Sequence, residues 1–304
     1  MEPLLRSLLL SLAKNQSLNQ LAKRYGLRMG AQRFVAGQTI EQAIDTIRIL
    51  NRQGMAATLD HLGEFVRDEK EAVEAADFNV RTLEAIHRAG VHSSLSLKMT
   101  QLGLDIRRDL CMSNMHRVLD TAERYDLEVT IDMEDYSHCK VTLDIFDELR
   151  KEYDNVGTVI QAYLRRSLED VIRLGHDKAH LRIVKGAYKE LPDVAYPDKS
   201  EVDSNYIKLM DAQLLSPGFT AIATHDEKII ENAKAFIEKH QIPRDKYEFQ
   251  MLYGIRSNLQ AALVALGYPV RVYVPYGNDW YGYFMRRLAE RPANVGFVLR
   301  GMFR

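Results

Sequence analysis

Arg286 and Arg287 stand side by side in Y-F-M-R-R-L-A-E-R, with Tyr283 one turn before them and Glu290 one turn after. Neighbouring helix positions do not face the same way. The pair is therefore either two solvated charges or a device that meets one anion from two sides. A second group of polar residues falls inside or just after short β-rich runs. Asp60, Lys98, Asp132, Gln161, Arg182, Lys185, Thr224, His225, Gln250 and Tyr273 are all of this kind. Buried polar groups need partners, and so many at corresponding positions point to a polar mouth. The bland readings stay open beside it. Lys98 and Asp132 form a plain ion pair, His225 is a satisfied core histidine, and Gly186-Ala187 is an ordinary strand end or a place for a flat ligand to approach the backbone. Lys185 or Lys98 would also suit a Schiff-base, aldolase-type lyase if desolvation lowered its pKa. The metal reading is weak: His61, Asp132 and His225 lie on different runs, with no H-x-H or H-E-x-x-H. Neither a nucleophile elbow nor a phosphate-cradling glycine loop is present.

The elements that must position these residues alternate. Predicted strands are Met55–Asp60, Ser94–Met99, Leu127–Asp132, Val156–Ala162, Leu181–Ala187, Thr220–Thr224, Tyr247–Leu252 and Val270–Pro275. Helical spacing follows over Asp77–Ala89, Ser113–Tyr125, Thr142–Glu152, Ser167–Leu174, Val202–Leu215, Glu227–Lys239, Gly254–Leu266 and Asp279–Arg291. Eight strand–helix repeats in about 250 residues predict a closed (β/α)8 barrel, with chemistry at the C-terminal strand ends and anions held after the last strands. An open doubly wound sheet is the alternative, weakened because no G-x-G-x-x-G follows the first strand. The expected division is an N-terminal helical arm over 1–45 and the barrel over 46–304.

Composition fits one barrel-sized unit: 304 residues, 46% of them hydrophobic, with a net charge of -1. That charge argues against a broad nucleic-acid surface. Cys111 and Cys139 form no CxxC pattern and suggest a reducing compartment. In the start, M-E-P-L-L-R-S-L-L-L, an acid comes first, Arg6 interrupts the leucines and no A-x-A site follows, unlike a signal peptide. A short amphipathic helix and a cytoplasmic protein are expected, with docking on the inner face of the cytoplasmic membrane left open.

Taken together, L-R-I-V-K-G-A-Y (Leu181–Tyr188), A-T-H-D (Ala223–Asp226), R-V-Y-V-P-Y-G (Arg271–Gly277) and Y-F-M-R-R-L-A-E-R (Tyr283–Arg291) resemble the proline dehydrogenase family. S-L-K-M (Ser96–Met99), I-D-M-E (Ile131–Glu134) and Q-A-Y (Gln161–Tyr163) add weaker support. The resemblance runs from the first strand to the last helix. It implies a distorted barrel with non-covalent FAD at its C-terminal face and the last helix above it. Lys98, Arg286 and Arg287 would hold the proline carboxylate, and Leu252, Tyr273 and Tyr283 would pack on the ring. Gln161, Arg182, Val184, Lys185, Gly186 and Ala187 would line the FAD site. Thr224, His225, Gln250 and Glu290 would complete it. Asp132 would support Lys98 and the flavin region, and Lys98, Asp132, Arg182 and Tyr273 would form the catalytic group. Glu64 would gate the site by pairing with the first arginine.

The implied reaction oxidises L-proline to Δ1-pyrroline-5-carboxylate by hydride transfer from C5 to flavin N5, the first step of proline catabolism to glutamate. Membrane quinone would take the electrons, by peripheral contact. The end at Arg304 reads as a monofunctional, bacterial-type form, whose product passes to a separate pyrroline-5-carboxylate dehydrogenase. A hydroxyproline dehydrogenase is the near alternative, disfavoured because Tyr273 would crowd the extra hydroxyl.

Overall fold

A computed structural model describes residues 31–63 and 66–290; the side chains of Ala31, Arg286, Leu288, Ala289 and Glu290 are outside the description. Eight parallel strands close into a barrel in sequence order: β1 (Ala56–His61), β2 (Ser93–Leu97), β3 (Val129–Ile131), β4 (Val156–Gln161), β5 (His180–Val184), β6 (Thr220–Ala223), β7 (Tyr247–Leu252) and β8 (Val270–Tyr276). β8 pairs with β1, with Thr58 opposite Tyr273 and Asp60 opposite Pro275. The closed barrel replaces the open-sheet alternative.

The surrounding helices are α1 (Ile40–Arg52), α2 (Glu69–Ala89), α3 (Arg108–Arg124), α4 (Tyr136–Leu149), α5 (Ser167–His176), α6 (Lys199–Leu214), α7 (Glu227–His240), α8 (Ser257–Ala265) and α9 (Trp280–Glu290). α1 spans the position where the arm was expected to meet the barrel. It buries Ala43, Ile44, Ile47 and Leu50. Thr39 and Gln42 form its capping box, so two backbone donors at its start are satisfied. α2 begins eight residues before the predicted start, because Asp68 caps it by accepting from the Glu71 N–H at 2.9 Å.

Strand alternation separates two environments. Leu59, Leu95, Leu97, Ile131, Ile183 and Val272 are fully buried or nearly so in the apolar core between strands and helices. The intervening residues meet across the barrel interior. Near its N-terminal end, Arg271 Nε donates to Glu248 Oε1 at 2.6 Å, and Arg271 Nη1 donates to the Ala57 carbonyl at 2.9 Å. One step up each strand begins the mouth.

β2 to β6 end one to three residues earlier than predicted, and two of these ends shape the site. β3 stops at Ile131, yet the Asp132 N–H still donates to the Leu97 carbonyl at 2.8 Å. That bond fixes Asp132 beside the end of β2. β5 stops at Val184; Tyr163 N–H bonds the Lys185 carbonyl, and then Gly186 turns away with φ +107. A Cβ at Gly186 would lie 2.1 Å from Tyr163 Cδ1. Glycine is required here by the chain turn and the tyrosine ring, independently of any ligand.

Candidate active site

A cavity of about 550 Å³ opens at the C-terminal mouth. Lys98 enters it one residue after β2, and its Nζ lies 3.4 Å from both Asp60 carboxylate oxygens and 3.5 Å from Asp132 Oδ2. Arg182, from the middle of β5, donates Nη1 to Asp132 Oδ1 at 2.6 Å and Nη2 to Ser96 Oγ at 2.9 Å. Tyr273 from β8 donates its hydroxyl to Asp132 Oδ2 at 2.6 Å, and the Arg182 guanidinium carbon stands 5.4 Å from the Tyr273 ring centroid. Burial, followed by the negative charges of Asp132 and Asp60, pushes the Tyr273 hydroxyl well above its ordinary pKa. It therefore stays protonated and acts as a donor. Lys98, Asp132, Arg182 and Tyr273 thus form one connected cluster.

The loops after β2 and β3 are braced just behind it. Glu134 accepts from the Thr100 hydroxyl at 2.7 Å and from the Thr100 N–H at 3.3 Å. Burial raises the Glu134 pKa, against the opposing effect of Thr100 and Lys98. Gln161 Nε2 donates to the Glu134 carbonyl at 3.0 Å, tying β4 to the same brace.

A second group lines the cavity from β5 to β7. Lys185 Nζ bonds Asp203 of α6 at 2.5 Å and Asp226, the N-cap of α7, at 2.7 Å. Burial opposes ionisation of Asp226, but the bond and charge of Lys185, with help from Lys199, outweigh it and hold the carboxyl at about 2. Lys185 and Lys98 are each engaged by two carboxylates rather than set in the apolar surroundings that activate a Schiff-base lysine. His225 Nε2 accepts the Leu252 N–H at 3.0 Å, so that nitrogen carries no proton. Arg256, in the left-handed region at φ 54, donates to the His225 carbonyl at 2.7 Å and pairs with Glu227. Val184, Gly186, Ala187 and Thr224 also border the cavity.

α9 closes the opposite side. Trp280 and Phe284 are buried, with ring centroids 5.9 Å apart, and Phe284 meets Phe34 at 6.1 Å. Anchoring that stripe leaves Tyr283 and Arg287, an i,i+4 pair, lining the cavity. Arg287 stands over the Tyr283 ring at 5.1 Å. Glu64 and the side chains of Arg286 and Glu290 lie outside the described residues, so the gate and the paired clamp remain expectations.

Sequence reading placed Asp60 at a strand end but did not make it a site residue, and it passed over Ser96, Asp203 and Arg256. A signal for the first two was present. Thr58 and Asp60 alternate on one strand, and Ser94, Ser96 and Lys98 on the next. That period-2 polar pattern marks an inward face. Asp203 and Arg256 reach the site from helix and loop positions with no such local signature.

The cavity has the size of a cofactor pocket. Gln161 Oε1, Gln250 Oε1 and Arg182 Nε are buried at its wall with no hydrogen-bond partner among the described residues. Buried polar atoms in native proteins find partners, so the wall is built for a ligand with several donors and acceptors. A flavin ring edge and its ribityl chain supply both. Among the described residues no group of three or more His, Cys, Asp or Glu is placed to hold a metal ion.

A closed parallel barrel with a polar cavity at the C-terminal strand ends is the architecture of (β/α)8 enzymes. A family model described as proline dehydrogenase matches residues 43–300. Proline dehydrogenase 1 of Bacillus subtilis (strain 168) is 50% identical over 301 residues, covering 99% of this chain and 100% of that protein. Proline dehydrogenase of Deinococcus radiodurans is 44% identical, covering 100% of this chain and 99% of that one. The barrel also superimposes on a crystal structure of proline utilization A from Bdellovibrio bacteriovorus inactivated by N-propargylglycine, with a TM-score of 0.81 and 28% identity over 87% of this chain. The chain spans about a third (33%) of that larger protein's length. The chain belongs to the proline dehydrogenase family.

Proposed function

We propose that this chain oxidises L-proline to Δ1-pyrroline-5-carboxylate with bound FAD and passes the electrons to a membrane quinone. Membership of the family supports the substrate. The observation that carries the chemistry is the cluster of Lys98, Arg182 and Tyr273 around Asp132 on the floor of a cavity roofed by Tyr283 and Arg287.

When bound, FAD supplies a two-electron acceptor for the hydride leaving proline C5. Gln161, Arg182 and Gln250 would hold it through their unpaired buried atoms. Val184, Gly186 and Ala187 would line it with small and apolar surface. Lys185, Thr224 and His225 would complete that side of the site, and Glu290 is expected to join them. Arg182 brings positive charge to a low-dielectric floor, which favours an electron-rich ligand there.

The substrate is a small zwitterion, so its carboxylate must provide much of the binding. Lys98 and Arg287, joined by Arg286, would bind it through charge-assisted bonds worth about 1.5–3 kcal/mol each. Leu252, Tyr273 and Tyr283 would pack on the pyrrolidine ring and fix C5. The amine must be neutral before the hydride leaves, and nearby cations lower its pKa by like-charge repulsion. The proton leaves through water. Glu64 would neutralise the arginines between turnovers. Tyr273, held by Asp132, would crowd a ring hydroxyl, which favours proline over hydroxyproline.

No described helix is long and apolar enough to cross a membrane, so quinone access would be peripheral. The imine product would pass to a separate dehydrogenase. The test is product capture. With L-proline and a soluble quinone, the purified protein should release a cyclic imine that forms a coloured adduct with o-aminobenzaldehyde. Absence of the adduct, together with borohydride trapping of a substrate on Lys98 or Lys185, would instead establish the lyase.

A further inference from the structure

We propose that Asp60 is a specificity-determining residue of the carboxylate clamp: it positions the Lys98 ammonium and offsets its charge, so that the site holds one ligand carboxylate weakly enough to exchange it. The inference rests on the carboxylate-binding role proposed above for Lys98 and Arg287.

Asp60 is 2% exposed and sits at the C-terminal end of β1, opposite Ser96 of β2 and Pro275 of β8. Backbone pairing on both sides leaves its carboxyl little freedom to move. Both oxygens lie 3.4 Å from Lys98 Nζ, a symmetric approach that centres the ammonium over the carboxylate. Asp132 is on the other side of the same ammonium at 3.5 Å, but it also receives Arg182 and Tyr273. Asp132 is therefore shared among three side chains. A buried carboxylate is costly unless it is paired. The position of Asp60 at the cavity wall, where an apolar or neutral residue would pack with less penalty, calls for a role in the site.

The charges explain that role. Asp60 lies against the ammonium proposed to bind the ligand carboxylate, so its negative charge lowers the positive potential at that point. Without that charge the potential rises, in a site screened poorly by solvent. Any small anion would then bind more tightly, and a product that keeps the substrate's carboxylate would leave more slowly.

The test uses the flavin-loaded enzyme and two rings of proline's size, cyclopentanecarboxylate and the neutral cyclopentanecarboxamide, as inhibitors of proline oxidation. In the unmodified enzyme the carboxylate should compete with proline and the carboxamide should be much weaker. Asp60→Asn keeps an acceptor for Lys98 but removes the charge. Carboxylate inhibition should then tighten by on the order of tenfold, with the carboxamide changed less than about twofold. If both inhibitors shift together, or the carboxylate is unchanged or weaker, the charge role of Asp60 is wrong while proline oxidation still stands. A carboxylate that fails to compete in the unmodified enzyme overturns the clamp itself. Asp60→Ser, smaller and also uncharged, gives the same ratio of the two inhibitors should the asparagine variant not fold.

Discussion

Asp132 gathers the site. It receives Arg182 and Tyr273 at 2.6 Å each, stands 3.5 Å from Lys98, and is itself pinned by its backbone bond to Leu97. A carboxylate so placed orders side chains from β5, β8 and the residue that follows β2. Arg287 lines the same cavity from α9. Arg287→Ala should raise KM for proline by about 10- to 100-fold, the loss of one charge-assisted contact, while flavin absorbance is retained. Steady-state kinetics with the visible spectrum checks both parts, and an unchanged KM would contradict the clamp. At this scale the sequence exposes the cluster through polar residues spaced two apart on apolar strands. What it hides is pairing between strands. Asp60 and Lys98 are 38 residues apart, and only the register of β1 against β2 brings them together.

The elements act as supports for those residues. α9 is held by Trp280 and Phe284 on one stripe and presents Tyr283 and Arg287 on another, so the amphipathic pattern itself aims the arginine. The end of β5 is set by Gly186, whose backbone turn and contact with Tyr163 admit no side chain. Gly186→Ala should cost about 2–4 kcal/mol through strain and overpacking. Urea unfolding measures that cost, and flavin should be lost more readily on dilution. Element order and type are legible from periodicity, whereas boundaries are less so. The first turns of α2 carry charged residues and small alanines, which blur the apolar stripe, and only the Asp68 cap announces the start. β5 reads as running to Ala187 because V-K-G-A continues its composition, but the positive φ at Gly186 ends the strand.

At the scale of the whole molecule the barrel closes through the β1–β8 seam, and His61 lies at the C-terminal end of that seam. Its ring stacks on Phe78 at 3.9 Å and packs 3.1 Å from where a Gly277 Cβ would stand. Burial, against the attraction of Asp279, lowers its pKa to about 4. The unfolded chain takes up this proton near pH 6.5, the folded one only near 4. The contribution is complete above pH 6.5 and is lost as pH falls between these values, by up to about 3 kcal/mol. The urea midpoint should therefore drop between pH 7 and pH 5, and His61→Phe, which keeps the stack, should reduce that drop. A drop of equal size in the variant would assign it to other groups. The barrel itself is the most legible feature at this scale, because eight alternations within one chain length leave few other ways to bury both faces of a parallel sheet.

The central claim is that this barrel uses a bound flavin to take a hydride from proline. The most direct measurement is an anaerobic absorbance titration of the purified protein with L-proline. The account predicts the visible absorption bands of an oxidised flavin, bleaching as proline is added. A protein that carries no such bands after loading with FAD, or whose bands persist in excess L-proline, would contradict it.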